Sequence, residues 1–167
     1  MPMIAEASGI TAGAIYKHFA SKEDLFFQVV QHAVEAVPVP MEEGGEFDAA
    51  SDLPRVVASY MASGLKVLRQ LAVEVHSASA RHPKVRRLLR RTLDLRIQQI
   101  RDSIEAAQQT GKLDRTIDAE LLACSVIAFI LGLMHMETVA PQLVGDAAWQ
   151  AFLEDRVAAL MGARRPE

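Results

Sequence analysis

The stretch TAGAIYKHFASKEDLF, residues 11–26, decides the fold. It reads as two helix beginnings laid end to end. Thr11 and Ser21 each stand where a helix cap belongs, because a hydroxyl there can accept an amide proton of the first turn. Asp24 follows Ser21 at the capping-box spacing S-x-x-D. Only a short helix, ending near Phe19, fits between the two caps. Upstream, Ile4 to Ala7 form another short apolar-periodic segment that stops at Gly9, a residue suited to closing a helix. Downstream, Leu25, Val29, Val30, His32 or Ala33, and Val37 continue at helical spacing until Pro38 and Pro40 end the run.

Outward from this stretch, helical periodicity persists and strand alternation is nearly absent. Residues 38–52 combine two prolines, Gly44, Gly45 and several acids, and read as a loop between a small unit, 1–37, and a larger one, 53–167. Leu53, Val56, Val57, Tyr60, Met61, Gly64, Leu68, Leu71, Ala72 and Val75 then recur at threes and fours, which predicts one long amphipathic helix. RHPK, residues 81–84, interrupts it, and Pro83 suits the first turn of a new helix. That helix carries Val85, Leu88, Leu89, Leu93, Ile97, Ile100 and Ile104 and ends at Gly111. Asp118 begins an apolar helix through Met136, and a last helix from about Trp149 ends at Gly162. The fold class is all-α.

The totals bound the function. The chain has 167 residues, of which 50% are hydrophobic, so a sizeable core is available. A net charge of −3 argues against binding nucleic acid through bulk charge, leaving locally arranged groups. Cys124 is the sole cysteine, which excludes an intrachain disulfide, and its apolar setting predicts a small buried hydrophobe. The first residues lack the basic start and apolar run of a signal peptide. The apolar run 121–136 is broken by Ser125 and His135 and falls short of the ~20 residues that span a bilayer. The expectation is a cytoplasmic protein with no membrane partner. His76, His82 and His135 lack metal-ligand spacing, and no phosphate-cradling loop or nucleophile elbow occurs, so no enzyme activity, metal or cofactor is expected.

Two short helices joined by a glycine turn and backed by a longer helix suggest a helix-turn-helix, whose second helix enters the major groove. The chemistry of residues 11–22 fits. Thr11 and the first-turn amides can meet phosphate. Ala12, Gly13 and Ala14 are small enough for close approach, and Tyr16, Lys17, His18 and Lys22 supply donors. From spacing alone, an ordinary helical hairpin fits as well, since 1–37 is not basic.

The run IAEASGITAGAIYKHFASKEDLFFQVV, residues 4–30, resembles the DNA-binding signature of the tetracycline-repressor (TetR/AcrR) family of bacterial regulators. Gly9 matches the turn, Thr11 the cap of the recognition helix, Gly13, Ile15, Tyr16, His18 and Phe19 its body, and Ser21, Lys22, Glu23 and Leu25 the helix that follows. The resemblance implies that Thr11, Tyr16, His18 and Lys22 touch phosphates. Ala12, Gly13, Ala14 and Lys17 then face the groove, while Ile15 and Phe19 are core. SARHPKVRRLLRR, AAQQTGKLDRTID and VAALMGARRP are similar to family segments more loosely. The family carries a further helix ahead of the one that starts here at Met1. Its absence uncovers apolar side chains such as Ile4, Ile15 and Leu25, at about 25 cal/mol per Å². The expectation is therefore a start at an internal methionine, with a longer native product. The alternative is a dimeric sensing or interaction module that has lost DNA binding by truncation.

The resemblance also implies the larger unit's work, effector binding and dimerisation. A helix apolar on nearly every face must be covered on every face. Leu122, Val126, Phe129, Ile130 and Leu133, joined by Trp149, Phe152, Leu153 and Val157 of the last helix, are the expected homodimer interface. A central helix of a monomeric bundle is the competing reading. Tyr60, Met61, Phe129, Met134 and His135 are the expected lining for a small apolar effector, against plain core packing. The basic run Arg81, Lys84, Arg86, Arg87, Arg90, Arg91, Arg96 and Arg101 is opposed only by Asp94. It reads first as a solvated face whose stems cover apolar surface, and second as a nucleic-acid or membrane surface. The function expected is a DNA-binding regulator, in this family usually a repressor, released from double-stranded operator DNA by the effector.

Overall fold

The computed structural model describes residues 2–9, 11–35 and 47–162. Among them the ordered elements are α-helices with two short 3₁₀ turns: α1 Pro2–Ala7, α2 Ala12–His18, α3 Lys22–Glu35, α4 Ala49–Ser59, α5 Lys66–Arg81, α6 Pro83–Gln109, α7 Ala119–Leu133, α8 Met136–Val139 and α9 Ala147–Leu160. Val37, the prolines after it and residues 163–167 lie outside the described residues.

The caps act as their residue types predict. Thr11 Oγ1 accepts from the Ala14 amide at 3.1 Å, and Ser21 Oγ accepts from the Asp24 amide at 3.0 Å. Asp24 reaches back to the Ala20 amide at 2.9 Å, which closes the box one residue earlier than the usual pattern. Gly9 turns the chain between α1 and α2 with φ of 66°, a left-handed conformation that costs glycine nothing. Asp118 and Asp146 cap α7 and α9, accepting from Leu121 and Trp149 amides at 2.9 and 2.7 Å.

Three expectations need correction. Helix α4 begins at Ala49, inside the segment read as loop, because Asp48 caps it and accepts from the Ala50 amide. The Asp48 carboxyl is held below the usual carboxylate range, chiefly by its hydrogen bond to Lys112 at 2.9 Å. The single long helix expected over 53–75 is two helices, α4 and α5, separated by a turn and a 3₁₀ turn at Ser63–Leu65. The apolar repeat runs unbroken across this bend because it serves two different cores. Leu53, Val57 and Met61 join the main cluster, whereas Val75 joins a second one. The apolar helix α7 ends at Leu133, not Met136, and a turn through Met134 and His135 leads into α8.

The main core draws on α4, α6, α7 and α9, with Val57, Met61, Ile104, Ala123 and Met161 at 0% exposure. The second, smaller core holds Val30 of α3, Val75 and Ala78 of α5 and Val85 of α6, with Phe27, Leu71, Leu88 and Leu89 around it. Through this second core α3 docks on α5 and α6, and α2 packs on α1.

Candidate nucleic-acid interface

Helix α2 is positioned by few anchors. Ile15 and, from α1, Ala5 are buried, and Phe19 is half-buried at the helix's end. The expected DNA-facing side chains lie on the other side. Thr11, Gly13, Lys17, His18 and Lys22 are exposed, Tyr16 is 56% exposed, and Ala14 is half-buried. The side chain of Ala12 lies outside the described residues. Thr11 uses only an acceptor lone pair on its cap, so its hydroxyl proton stays available to a phosphate oxygen.

Gly13 is the informative position. Its φ is not positive, and a Cβ added there would meet only Thr11 Oγ1, at an ordinary 3.9 Å. Nothing among the described residues requires glycine, which costs roughly 1 kcal/mol against alanine inside a helix. The space it leaves opens outward, on the face that carries Tyr16 and Lys17.

The residues expected to line an effector cavity are dispersed. Met61 and Met134 are buried, Met61 within the main core. Phe129 and His135 are exposed. Only Tyr60 is a half-buried polar candidate, its phenol pushed up by burial, an effect opposed by the positive charge of Arg96. Phe129 and His135 thus stand at the surface while Met61 belongs to the main core.

What the sequence reading missed is Arg69. It has no exposed surface, yet four of its five guanidinium N–H groups are shown to donate. Nη1 donates to the carbonyls of Tyr60 and Ala62 at 2.6 and 2.8 Å, while Nε and Nη2 donate to Glu137 Oε1 at 3.2 and 2.7 Å. One side chain thus satisfies the end of α4 and ties the bend to α8. Its neighbour one face along α5, His76, has its pKa lowered by burial and, secondarily, by His135. The available signal was a cation inside an otherwise apolar stripe, just after the Ser63–Gly64 pair that breaks the helix.

The expected dimer face divides. Leu122, Val126, Leu133, Leu153 and Val157 are 1–5% exposed within the chain's own core, so they present nothing to a partner. Ile130 and Trp149 pack partly against the same core. Phe129 and Phe152 do face outward, at 37% and 52%. The open face of α7 runs instead through Leu121, Cys124, Ser125, Ala128 and Gly132, and that of α9 through Ala148, Ala151, Phe152, Ala159 and Leu160. Cys124 is accordingly exposed, not buried as its apolar setting predicts. Helix α7 is apolar on nearly every face, but among the described residues the chain covers only one side.

Among the described residues, no helix is long and apolar enough to cross a membrane. A family model described as bacterial regulatory proteins, tetR family, matches residues 1–29. A second, described as BetI-type transcriptional repressor, C-terminal, matches residues 66–162. No curated protein matches the chain. Among solved structures, Salmonella enterica GusR superposes with a TM-score of 0.68 at 20% identity, covering 95% of this chain and 82% of its own. A Rhodococcus sp. protein assigned to the TetR family of transcriptional regulators gives 0.69 at 21% identity, covering 96% and 86%. At these identities the likeness is one of fold.

Proposed function

This chain belongs to the TetR family of bacterial regulatory proteins, and from that premise we propose that it is a ligand-responsive repressor acting as a homodimer on double-stranded operator DNA in the cytoplasm. Thr11, Tyr16, His18 and Lys22 hold phosphates, and Gly13, Ala14 and Lys17, with Ala12, lie against the groove. Two copies of α2 sit one DNA turn apart, about 34 Å, joined through the open faces of α7 and α9. An effector that prefers the conformation with another separation lowers operator affinity by its differential affinity for the two states. The repressor sign is supported by the match of 66–162 to the BetI-type repressor description. For the effector, Gln99 Oε1 on α6 is buried without a donor among the described residues, three positions beyond Arg96. A ligand carrying a hydroxyl or amine near Tyr60 and Arg96 satisfies it.

Gly13 carries this reading, because it is a glycine with no internal reason to be one. Replacing it tests the reading directly. Gly13→Ala leaves the melting temperature equal or higher, since helix propensity improves and nothing clashes. The same methyl stands between α2 and the groove, so gel-shift titration on DNA from upstream of the gene shows weaker binding. Unchanged binding by Gly13→Ala, or no shift by the unsubstituted protein, defeats the assignment.

A further inference from the structure

The basic run 81–101 separates, in three dimensions, into charges with structural work and charges without it. Arg86 donates to the carbonyls of Ser79 and Ala80, both at 3.0 Å, and so closes the end of α5. Arg101 is surrounded by Asp102, Glu105 and Glu120. Arg96 is half-buried beside Tyr60, and Arg90 lies 3.9 Å from Asp94. Arg81, Lys84, Arg87 and Arg91 remain. All four are exposed and have no carboxylate partner among the described residues.

On α6 the placement is electrostatically adverse within the chain, whereas Arg81 ends α5, where a cation suits the dipole. Lys84, Arg87 and Arg91 recur at three and four, on one side of α6, opposite the buried Val85 and Ile100. Lys84 and Arg87 sit in the opening turns of α6, which has no acidic residue in its first turn and no side-chain cap on its first amides. Cations there oppose the helix dipole and one another, a cost that an external anion removes. All four are exposed, and Lys84, Arg87 and Arg91 share the outward side of α6.

The patch also lies beside the DNA-reading unit. His82, between Arg81 and Lys84, meets the ring of Phe26 with centroids 5.7 Å apart. Phe26 is one turn, about 6 Å of axis, beyond Lys22 on α3. The α5–α6 junction, with Arg81 and Lys84 on either side of His82, therefore lies against α3 one turn from Lys22, and Arg87 and Arg91 follow Lys84 along the outward side of α6. A duplex under α2 carries one negative charge per about 1.7 Å of axis, so phosphates extend to either side of the groove that α2 enters.

We propose that Arg81, Lys84, Arg87 and Arg91 form a second phosphate-binding surface, contacting the DNA backbone flanking the site read by α2 and supplying positive charge that the helix-turn-helix itself lacks. This inference rests on the DNA-binding function proposed above. The surface holds phosphates and reads no base, so it adds affinity equally on all sequences.

The test is the salt dependence of binding to a duplex from upstream of the gene and to a random duplex of equal length. The protein is compared with a variant carrying Arg81→Gln, Lys84→Gln, Arg87→Gln and Arg91→Gln. The expected result is a plot of log K against log salt shallower by about 0.9 for each phosphate no longer neutralised, hence by about 2 or more for two subunits. Affinity falls on both duplexes in the same proportion. Should the fourfold variant misfold by circular dichroism, Arg87→Gln alone gives the same reading with a smaller change. An unaltered slope with normal binding overturns this proposal and leaves the regulator reading intact. Failure of the unsubstituted protein to bind either duplex overturns both. An unaltered slope together with variant-sensitive binding to vesicles containing anionic phospholipid assigns the surface to a membrane and also overturns it.

Discussion

Arg69 and His76 occupy the same side of α5 and place opposite demands on it. Arg69 is fully enclosed, and its hydrogen bonds to Tyr60, Ala62 and Glu137 make the enclosure tolerable. Removing one partner of such a pair costs far more than the pair contributes, because the other charge stays buried. Arg69→Met is expected to destabilise the fold by about 3–5 kcal/mol, read as a lower urea midpoint. Glu137→Gln keeps an acceptor for the guanidinium and is expected to cost less, about 1–3 kcal/mol. His76 has a folded pKa below its ordinary value of 6.5, through burial first and His135 second. As pH falls through 6.5 the unfolded chain takes up a proton that the folded chain resists, so stability declines on acidification. The melting temperature is expected to drop between about pH 7 and pH 5, and His76→Gln to flatten that drop. A variant as pH-sensitive as the parent excludes His76 as the source.

At the scale of elements, the helices are set by their ends as much as by their faces. Asp118 accepts from the Leu121 amide at 2.9 Å and starts α7 where the apolar run begins. Asp118→Ala is expected to cost about 1 kcal/mol, seen as a shifted denaturant midpoint with an unchanged slope. The bend between α4 and α5 shows the limit of periodicity. Leu53 to Val75 repeat as one helix would, yet the chain reorients at Tyr60–Leu65 so that successive turns of the stripe enter two cores. A period records which residues want burial and carries no information on which neighbour buries them.

At the scale of the molecule, the two exposed apolar stripes of α7 and α9 are the surface on which the proposed dimer is to be tested. Leu121 is 68% exposed and Phe152 52%, beside small residues that permit close helix packing. Phe152→Glu is expected to turn a dimer into a species of single-chain mass by analytical ultracentrifugation while the helical signal persists. Leu122→Ala, by contrast, opens a cavity in the subunit's own core and is expected to cost about 2–5 kcal/mol without altering the mass. Dissociation by Leu122→Ala and none by Phe152→Glu would mean that the interface uses the other face. The two stripes also bear on the recognition helices, since whatever joins the α7–α9 faces sets the distance between two copies of α2.

The all-α class, the short capped helix at 12–18 and the exposure of Tyr16, Lys17 and His18 were legible in the residues themselves. They depend on local rules: hydroxyl caps, glycine turns and the spacing of apolar side chains within a few turns. The side of α7 that meets its own subunit, the bend hidden inside an unbroken stripe, the burial of Arg69 and the sorting of the cations of 81–101 into bound and unbound were decided only by tertiary structure. The burial of Arg69 and the packing of the α5–α6 junction on α3 depend on residues far apart in the chain, Arg69 with Glu137 and Phe26 with His82, and short-range pattern holds no record of those meetings.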